Sequence, residues 1–141
     1  MSEPAAHVGV LRELVLALAT QPDWQAEVSE QVAAAVTRDL PAMAPDDAMQ
    51  AAMRASNDEV LRLLVGMLTA STPPADAQPP EAAVAVAHEL VRRGVGIEVL
   101  LQGYQAAHAA FFADLVRRIH ADPRLAAQTQ TAIEEAAQWL F

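Results

Sequence analysis

Residues 80–120 read PEAAVAVAHELVRRGVGIEVLLQGYQAAHAAFFADLVRRIH, and this stretch decides the fold. Its apolar residues recur every three or four positions on both sides of Gly94, which is the spacing of one face of an α-helix. Arg92 and Arg93 come before that glycine and favour the electronegative end of a helix dipole. Gly94 itself suits the left-handed position that follows a helix. We therefore predict that one helix ends at Arg93 and that a long central helix covers 97–120.

The same pattern continues outward from this stretch in both directions, interrupted by prolines. Most residues between the prolines are strong helix formers, and no cluster of β-branched residues between turn signals predicts a strand. A Pro-rich internal loop is expected at 71–80. The sequence thus predicts an all-α bundle of about six helices, at roughly 5–20, 24–40, 47–70, 80–93, 97–120 and from 123 to the end.

Local capping signals place three of the other helix starts. Asp23 precedes the second helix and is expected to accept hydrogen bonds from its first amides. Asp47 and Gln50 have the spacing of a capping box at the start of the third helix. Asp122 and Pro123 are typical of the N-cap and first residue of the sixth. On the long helix, the predicted inner stripe consists of Ile97, Leu101, Tyr104, His108, Phe111, Leu115 and Ile119.

Composition limits the function classes. The chain of 141 residues has a net charge of -9 and no cysteine, which excludes disulfides, cysteine zinc sites and thiol catalysis. An acidic chain is repelled by phosphate backbones, so we expect no direct nucleic-acid binding. The N-terminus lacks a signal-peptide pattern and the apolar runs are short, so we expect no membrane association and a cytoplasmic location. One domain over 1–141 is the expectation at this length.

Motifs for catalysis or cofactor binding are missing from the sequence. Glu134-Glu135 and Asp46-Asp47 are adjacent pairs rather than facing carboxylates, and no phosphate-binding loop or nucleophile elbow occurs. We therefore expect no enzymatic activity and no cofactor. A haem held by His108 or His88 is a minor alternative.

One ordered pattern of residues resembles a known family. It contains Ser56-Asn57, the leucines at 61, 63 and 64, VRRGVGIEVLLQGY at 91–104, His108 and the pair Phe111-Phe112. This pattern resembles the N-terminal regulatory domain of PucR/CdaR-type transcription regulators, which is related to the input domain of RsbR-type stressosome co-antagonists. Val91 and Ala107 depart mildly from that pattern, because smaller residues are usual there.

The resemblance implies an all-helical, non-catalytic input domain, for which a globin-like topology is one option. Such domains precede a middle domain and a C-terminal helix-turn-helix, sense a metabolite or relay a signal, and generally work as dimers. The apolar end at 136–141 fits this, because a natural terminus tends to be polar. We therefore expect a domain excised from a longer regulator; a short protein whose last helix docks its end is the alternative.

Four residues are candidates for binding a small effector. Tyr104, His108 and Phe111 share one stripe of the long helix, and Asn57 occupies a position where an apolar residue is expected. A phenol, an imidazole and an amide could orient a ligand in an apolar pocket. The alternative is that Tyr104 and His108 are core residues and that Asn57 bridges two helices, since a buried amide is costly without a partner.

A homodimer is expected, with an interface formed by Met49, Met53, Trp139 and Phe141. Two alternative functions stay open. In the first, the chain is a dimerisation scaffold without any effector. Residues 87–103 also resemble a DNA-reading helix-turn-helix. That motif would present Glu98, Gln102 and Gln105 to DNA without a nearby cation, which disfavours it.

Overall fold

The computed structural model describes residues 9–43, 46–70 and 77–140, and within these ranges the chain forms six α-helices and no strand. The all-α prediction is confirmed. The helices are α1 (Gly9–Ala19), α2 (Trp24–Asp39), α3 (Asp47–Ala70), α4 (Glu81–Arg92), α5 (Ile97–Ala121) and α6 (Thr129–Leu140). None of them is long and apolar enough to cross a membrane.

The predicted boundaries differ from these mainly at the two ends and in the proline-rich loop. Residues 77–80 of that loop are not helical, whereas 71–76 lie outside the described residues. The predicted start of the first helix, near residue 5, also lies outside them. The last helix begins at Thr129, later than predicted, because Pro123–Leu125 form a separate 3₁₀ turn before it.

The six helices pack around one hydrophobic core. Helix α2 lies against both α3 and α5, α3 also contacts α4 and α1, and α6 covers α5 and α1. A 3₁₀ turn at Pro41–Met43 follows α2 and packs against α5. Gly103 makes this approach possible, because a Cβ atom at that position would lie 2.5 Å from the sulfur of Met43. This arrangement places α3 opposite the middle of α5.

The turn between α4 and α5 has the predicted left-handed glycine. Gly94 has a φ of 88°, and its amide donates to the Val91 carbonyl at 2.9 Å. The amide of Val95 donates to the carbonyl of Leu90, also at 2.9 Å. These two bonds form a Schellman motif, which satisfies carbonyl groups at the end of α4. Leu90 is fully buried and Val95 packs against the same core, so the turn fixes where α5 begins.

None of the three capping predictions holds as it was made. The cap of α3 is Asp46 rather than Asp47, since Oδ1 of Asp46 accepts from the amide of Met49 at 2.8 Å. Asp23 makes no side-chain capping bond to α2. Asp122 accepts from the amide of Arg124 at 2.9 Å, and so caps the 3₁₀ turn instead of α6. Sequence signals identify a capping residue type, but the backbone path decides which neighbour reaches the free amides.

The predicted inner stripe of α5 holds only in its second half. Phe111, Leu115 and Ile119 are buried, whereas Ile97 is 66% exposed and Leu101 is 56% exposed. In the first half, the buried positions are Leu100 and Gly103. Gly103 lets the 3₁₀ turn at Pro41–Met43 approach closely. Helix α5 therefore turns Gly103 toward the core, and Ile97 and Leu101 lie on its exposed side.

Two carboxylates are buried at helix contacts. Asp114 of α5 is fully buried, and its Oδ2 accepts from Nε1 of Trp24 in α2 at 3.1 Å. Arg117 also forms an ion pair with Asp114. Glu135 of α6 accepts from the amide of Leu11 at 2.9 Å, which satisfies a free amide in the first turn of α1. Each buried carboxylate therefore links two helices through a hydrogen bond.

Candidate functional site

The structure brings the four predicted binding residues to one place. Asn57 of α3 and Tyr104, His108 and Phe111 of α5 line a partly enclosed cavity of about 70 Å³, called here the first cavity. Val32 of α2 closes a further side. Helix α2 packs against both α3 and α5 and so positions the two walls of the cavity. The lining is mostly apolar with a few polar groups. This is the usual composition of a small-molecule site.

A second cavity lies directly beside the first. It encloses about 40 Å³ between α3, α4 and α5, with Met43 at one side. Ser56, Asn57, Tyr104 and Ala107 line both cavities and so form a shared wall between them. Three polar residues of the site lie at this wall, and His108 lines the first cavity only.

Asn57 has an unsatisfied donor at the shared wall. Its Nδ2 atom is buried and has no hydrogen-bond partner among the described residues. Asn57 was expected either to bridge two helices or to face a ligand, and its amide nitrogen makes no bridge. A buried donor without an acceptor costs about 1–3 kcal/mol. An acceptor in the cavity would remove that cost.

His108 lies partly buried on the opposite wall. Burial lowers the pKa of its imidazole from the ordinary value of 6.5, because a low-dielectric surrounding disfavours the charged ring. Near neutral pH the ring is therefore neutral. Among the described residues, no Asp, Glu, Lys or Arg side chain lines either cavity. The site is uncharged as a result.

Tyr104 is placed differently from the core residue that was the alternative expectation. Its side chain is 50% exposed, yet it lines both cavities. It therefore belongs to the shared wall and is also half exposed to solvent.

Ser56 and Ala107 belong to the site although they were not among the predicted binding residues. Both line the two cavities beside Asn57 and Tyr104. Their signal was the helical spacing itself: Ser56 follows Met53 by three residues, and Ala107 follows Tyr104 by three. Ala107 is also one of the departures from the family pattern, and its small side chain leaves the space that the cavities occupy.

Three of the four residues predicted for a dimer interface are buried within this chain. Met49, Met53 and Trp139 are all buried in the hydrophobic core, and Phe141 lies outside the described residues. This corrects their expected position on the surface: their helical stripes face the other helices of the same chain. Exposed apolar residues occur instead on α4 and α5, where Val91, Ile97 and Leu101 are more than half exposed.

The arginines before Gly94 are engaged with carboxylates. Arg93 Nε lies 2.8 Å from Oε2 of Glu89, and its Nη1 lies 2.8 Å from Oδ2 of Asp46. Arg92 pairs with Glu89 as well. These ion pairs lower the pKa of the carboxyl groups of both Glu89 and Asp46 below their usual range. Thus Arg93 links the end of α4 to the start of α3.

The structure also locates the residues of the two alternative sites, the DNA-reading helix-turn-helix and the haem site. Gln102 and Gln105 are exposed on α5, as a DNA-reading helix would require, but the exposed Ile97 and Leu101 lie on the same part of the helix. His88 is exposed. It lines neither the first cavity, which contains His108, nor the second. Among the described residues, no group of three or more His, Asp or Glu could hold a metal ion.

Comparison with known proteins identifies a family for most of the chain. The family model described as the RsbT co-antagonist protein rsbRD N-terminal domain matches residues 26–141. No curated protein and no solved structure matches the chain. The matched range begins within α2 and contains α3 to α6, and it includes every residue that lines the two cavities. The chain belongs to the family of RsbT co-antagonist rsbRD N-terminal domains.

Proposed function

We propose that this chain is a non-catalytic sensory input domain that binds a small effector in the first cavity. Its output would pass to further domains of a regulator, of which a PucR-type transcription regulator is the version that the turn at 91–104 supports. Ligand binding would bias the packing of α3 against α5, because the ligand contacts both helices. A ligand can shift such an equilibrium only by its difference in affinity for the two packings.

One observation carries this proposal. The buried Nδ2 of Asn57 has no acceptor among the described residues, and it lies at the wall of an apolar cavity that also contains Tyr104 and His108. A core selected for stability alone would fill this space and pair or remove the amide. A binding site requires both the space and the free donor.

A thermal-shift screen with purines, carboxylic acids, amino acids and neutral metabolites tests the proposal. At least one class is expected to raise the melting temperature of the wild-type chain, since a ligand that binds only the folded state stabilises it. The effect should disappear in Ala107→Leu, whose added carbons occupy the cavity. Ala113→Leu is the matched control, because Ala113 is an exposed residue of the same helix.

The screen also has an outcome that contradicts the proposal. If every stabilising compound acts equally on wild type and on Ala107→Leu, the first cavity is not the effector site. If no compound of any class stabilises the wild type, the sensory function itself is contradicted and the scaffold function below replaces it.

A purely structural dimerisation domain is the second candidate function. The exposed apolar side chains of Ile97, Leu101 and Tyr104 follow one another at helical spacing on α5 and favour it. Burial of such a face in a homodimer would remove apolar area from water. Light scattering after gel filtration should then show a dimer that Leu101→Glu dissociates. Leu16→Glu, at an exposed leucine of α1, is the matched control.

A further inference from the structure

The wall between the two cavities reaches solvent at one residue. Among the described residues that line the cavities, only Tyr104 is exposed, and all the others are buried or half-buried. The exposed half of this side chain is therefore the outer side of the shared wall. The site meets water there unless another molecule covers it.

Tyr104 continues an apolar stripe that the described part of the chain leaves uncovered. Ile97, Leu101 and Tyr104 follow one another at spacings of four and three residues, and they are 66%, 56% and 50% exposed. The same stripe continues through Phe111 and Leu115, which belong to the hydrophobic core. The first half of the stripe is therefore a packing surface without a neighbour, and exposed apolar surface of this kind marks interaction sites.

The surface around this stripe carries no charge. Residues 99–113 contain no Asp, Glu, Lys or Arg, although the chain has 18 acidic and 9 basic residues and a net charge of -9. His108 lies in this range, and burial lowers the pKa of its imidazole, so the ring is neutral near neutral pH. Two copies of such an acidic chain repel each other. They therefore approach at the lowest electrostatic cost where neither copy is charged.

The polar side chains beside the stripe are complementary to themselves. Gln102 and Gln105 are exposed, and a glutamine amide both donates and accepts, so it can pair with the same residue of a second copy. A two-fold contact brings identical surfaces together and therefore favours such groups over charges of one sign. The cores of protein interfaces are also depleted in charge and enriched in tyrosine. These properties favour a second copy over a partner of opposite charge.

We infer that a second copy of this chain binds the α5 face, which consists of Ile97, Leu101, Gln102, Tyr104 and Gln105, and that it covers the outer side of the shared wall. Dimerisation then completes the cavities instead of being a separate function. The inference rests on the proposed function only because the covered wall belongs to the effector site; the contact itself requires no effector. An effector that binds the dimer more tightly than the monomer strengthens the dimer by the same factor.

Tyr104 is the single tyrosine of the sequence, so it reports on this contact without any substitution. The chain is labelled with 3-fluorotyrosine, and its ¹⁹F NMR signal is followed on dilution through the dimer Kd that sedimentation equilibrium gives. We expect the chemical shift to change with its midpoint at that Kd, since Tyr104 passes from a covered to a half-exposed surrounding. A dimer formed through another face would leave the signal unchanged.

The variant Leu101→Glu tests the face and leaves the cavities intact, because Leu101 lines neither of them. Each dimer would then contain two like charges on an uncharged surface, so we expect its Kd to rise by about a hundredfold or more. Leu16→Glu adds the same charge at an exposed leucine of α1 and should keep a Kd near that of wild type. Added salt should lower the wild-type Kd, because it screens the repulsion between two acidic chains.

Four results would overturn the inference. They are a monomer at every concentration up to about 1 mM, a dimer whose dissociation leaves the ¹⁹F signal unchanged, equal Kd values for Leu101→Glu and Leu16→Glu, and a dimer that weakens as salt is added. The dilution series uses the wild-type chain, so the test stands even if Leu101→Glu folds poorly. None of these results decides the thermal-shift screen, and silence in that screen together with the expected ¹⁹F shift would contradict the effector and keep the contact.

Discussion

Asn57 places an unpaired polar group at the mostly apolar cavity that lies between α3 and α5. Because its Nδ2 has no partner among the described residues, replacing it by leucine should remove a desolvation cost. We expect Asn57→Leu to raise the free energy of unfolding by about 1–2 kcal/mol in the absence of ligand. Urea denaturation measures this value, and Gln102→Leu at an exposed position of α5 serves as control. A loss of stability in Asn57→Leu would show that the amide is satisfied in the folded chain.

His108 should make stability depend on pH. Burial lowers its folded pKa below 6.5, so the unfolded chain binds more protons in the pH interval between the folded pKa and the unfolded one. The free energy of unfolding therefore falls as the pH drops through this interval and levels off below it. Denaturation series between about pH 5 and pH 7 should show a weaker dependence in His108→Gln. His88→Gln, at an exposed position, should retain the wild-type dependence.

At the scale of the element, the turn before α5 depends on one glycine. Gly94 has a φ of 88°, and a Cβ atom there would meet nothing within 4 Å. The cost of Gly94→Ala is therefore conformational, and we expect a loss of about 1 kcal/mol. Gly66→Ala provides the contrast: Gly66 lies inside α3 with equal space around it, so alanine should stabilise by up to about 1 kcal/mol. Equal effects at the two sites in thermal unfolding would contradict this account.

Two neighbouring aspartates at the start of α3 have different roles. Asp46 caps the helix and pairs with Arg93, whereas Asp47 is the first helical residue. We expect Asp46→Ala to lower the melting temperature more than Asp47→Ala, and Asp46→Asn to lie between them, because asparagine keeps the cap and loses the ion pair. Circular dichroism of the three variants measures this order. A larger effect at Asp47 would restore the capping box predicted from sequence.

At the scale of the whole molecule, the contact between Asp114 and Trp24 holds α2 against α5. Both side chains are buried, and Asp114→Ala would leave the indole N–H without its acceptor. We expect a loss of about 3 kcal/mol in the free energy of unfolding. Asp114→Asn keeps an acceptor for the indole and should lose less. Near-ultraviolet circular dichroism monitors the tryptophan environment, and an equal loss in both variants would show that the charge matters more than the indole bond.

Helical periodicity in the sequence was sufficient to predict the helices and to select the candidate site residues. The spacing of apolar residues gave six helices, because each helix here buries one face and its period does not depend on distant partners. Asn57 stood out as polar on an apolar stripe, and Tyr104, His108 and Phe111 shared one side of a helix. Periodicity did not predict that α3 and α5 line one cavity, or that Ile97 and Leu101 of the same stripe are exposed.

The sequence by itself determined the approximate helix positions and the left-handed turn at Gly94, and it selected four candidate residues for the site. These properties are local, since they follow from a repeat of three to four residues and from the conformational freedom of glycine. Only the tertiary structure decided that Met49 and Met53 are core residues, that Tyr104 is half exposed and that Ala107 leaves a cavity. The burial of a side chain and the presence of a cavity depend on which helix covers each face and how closely that helix approaches. This approach is set by the volumes of residues that are far apart in the chain.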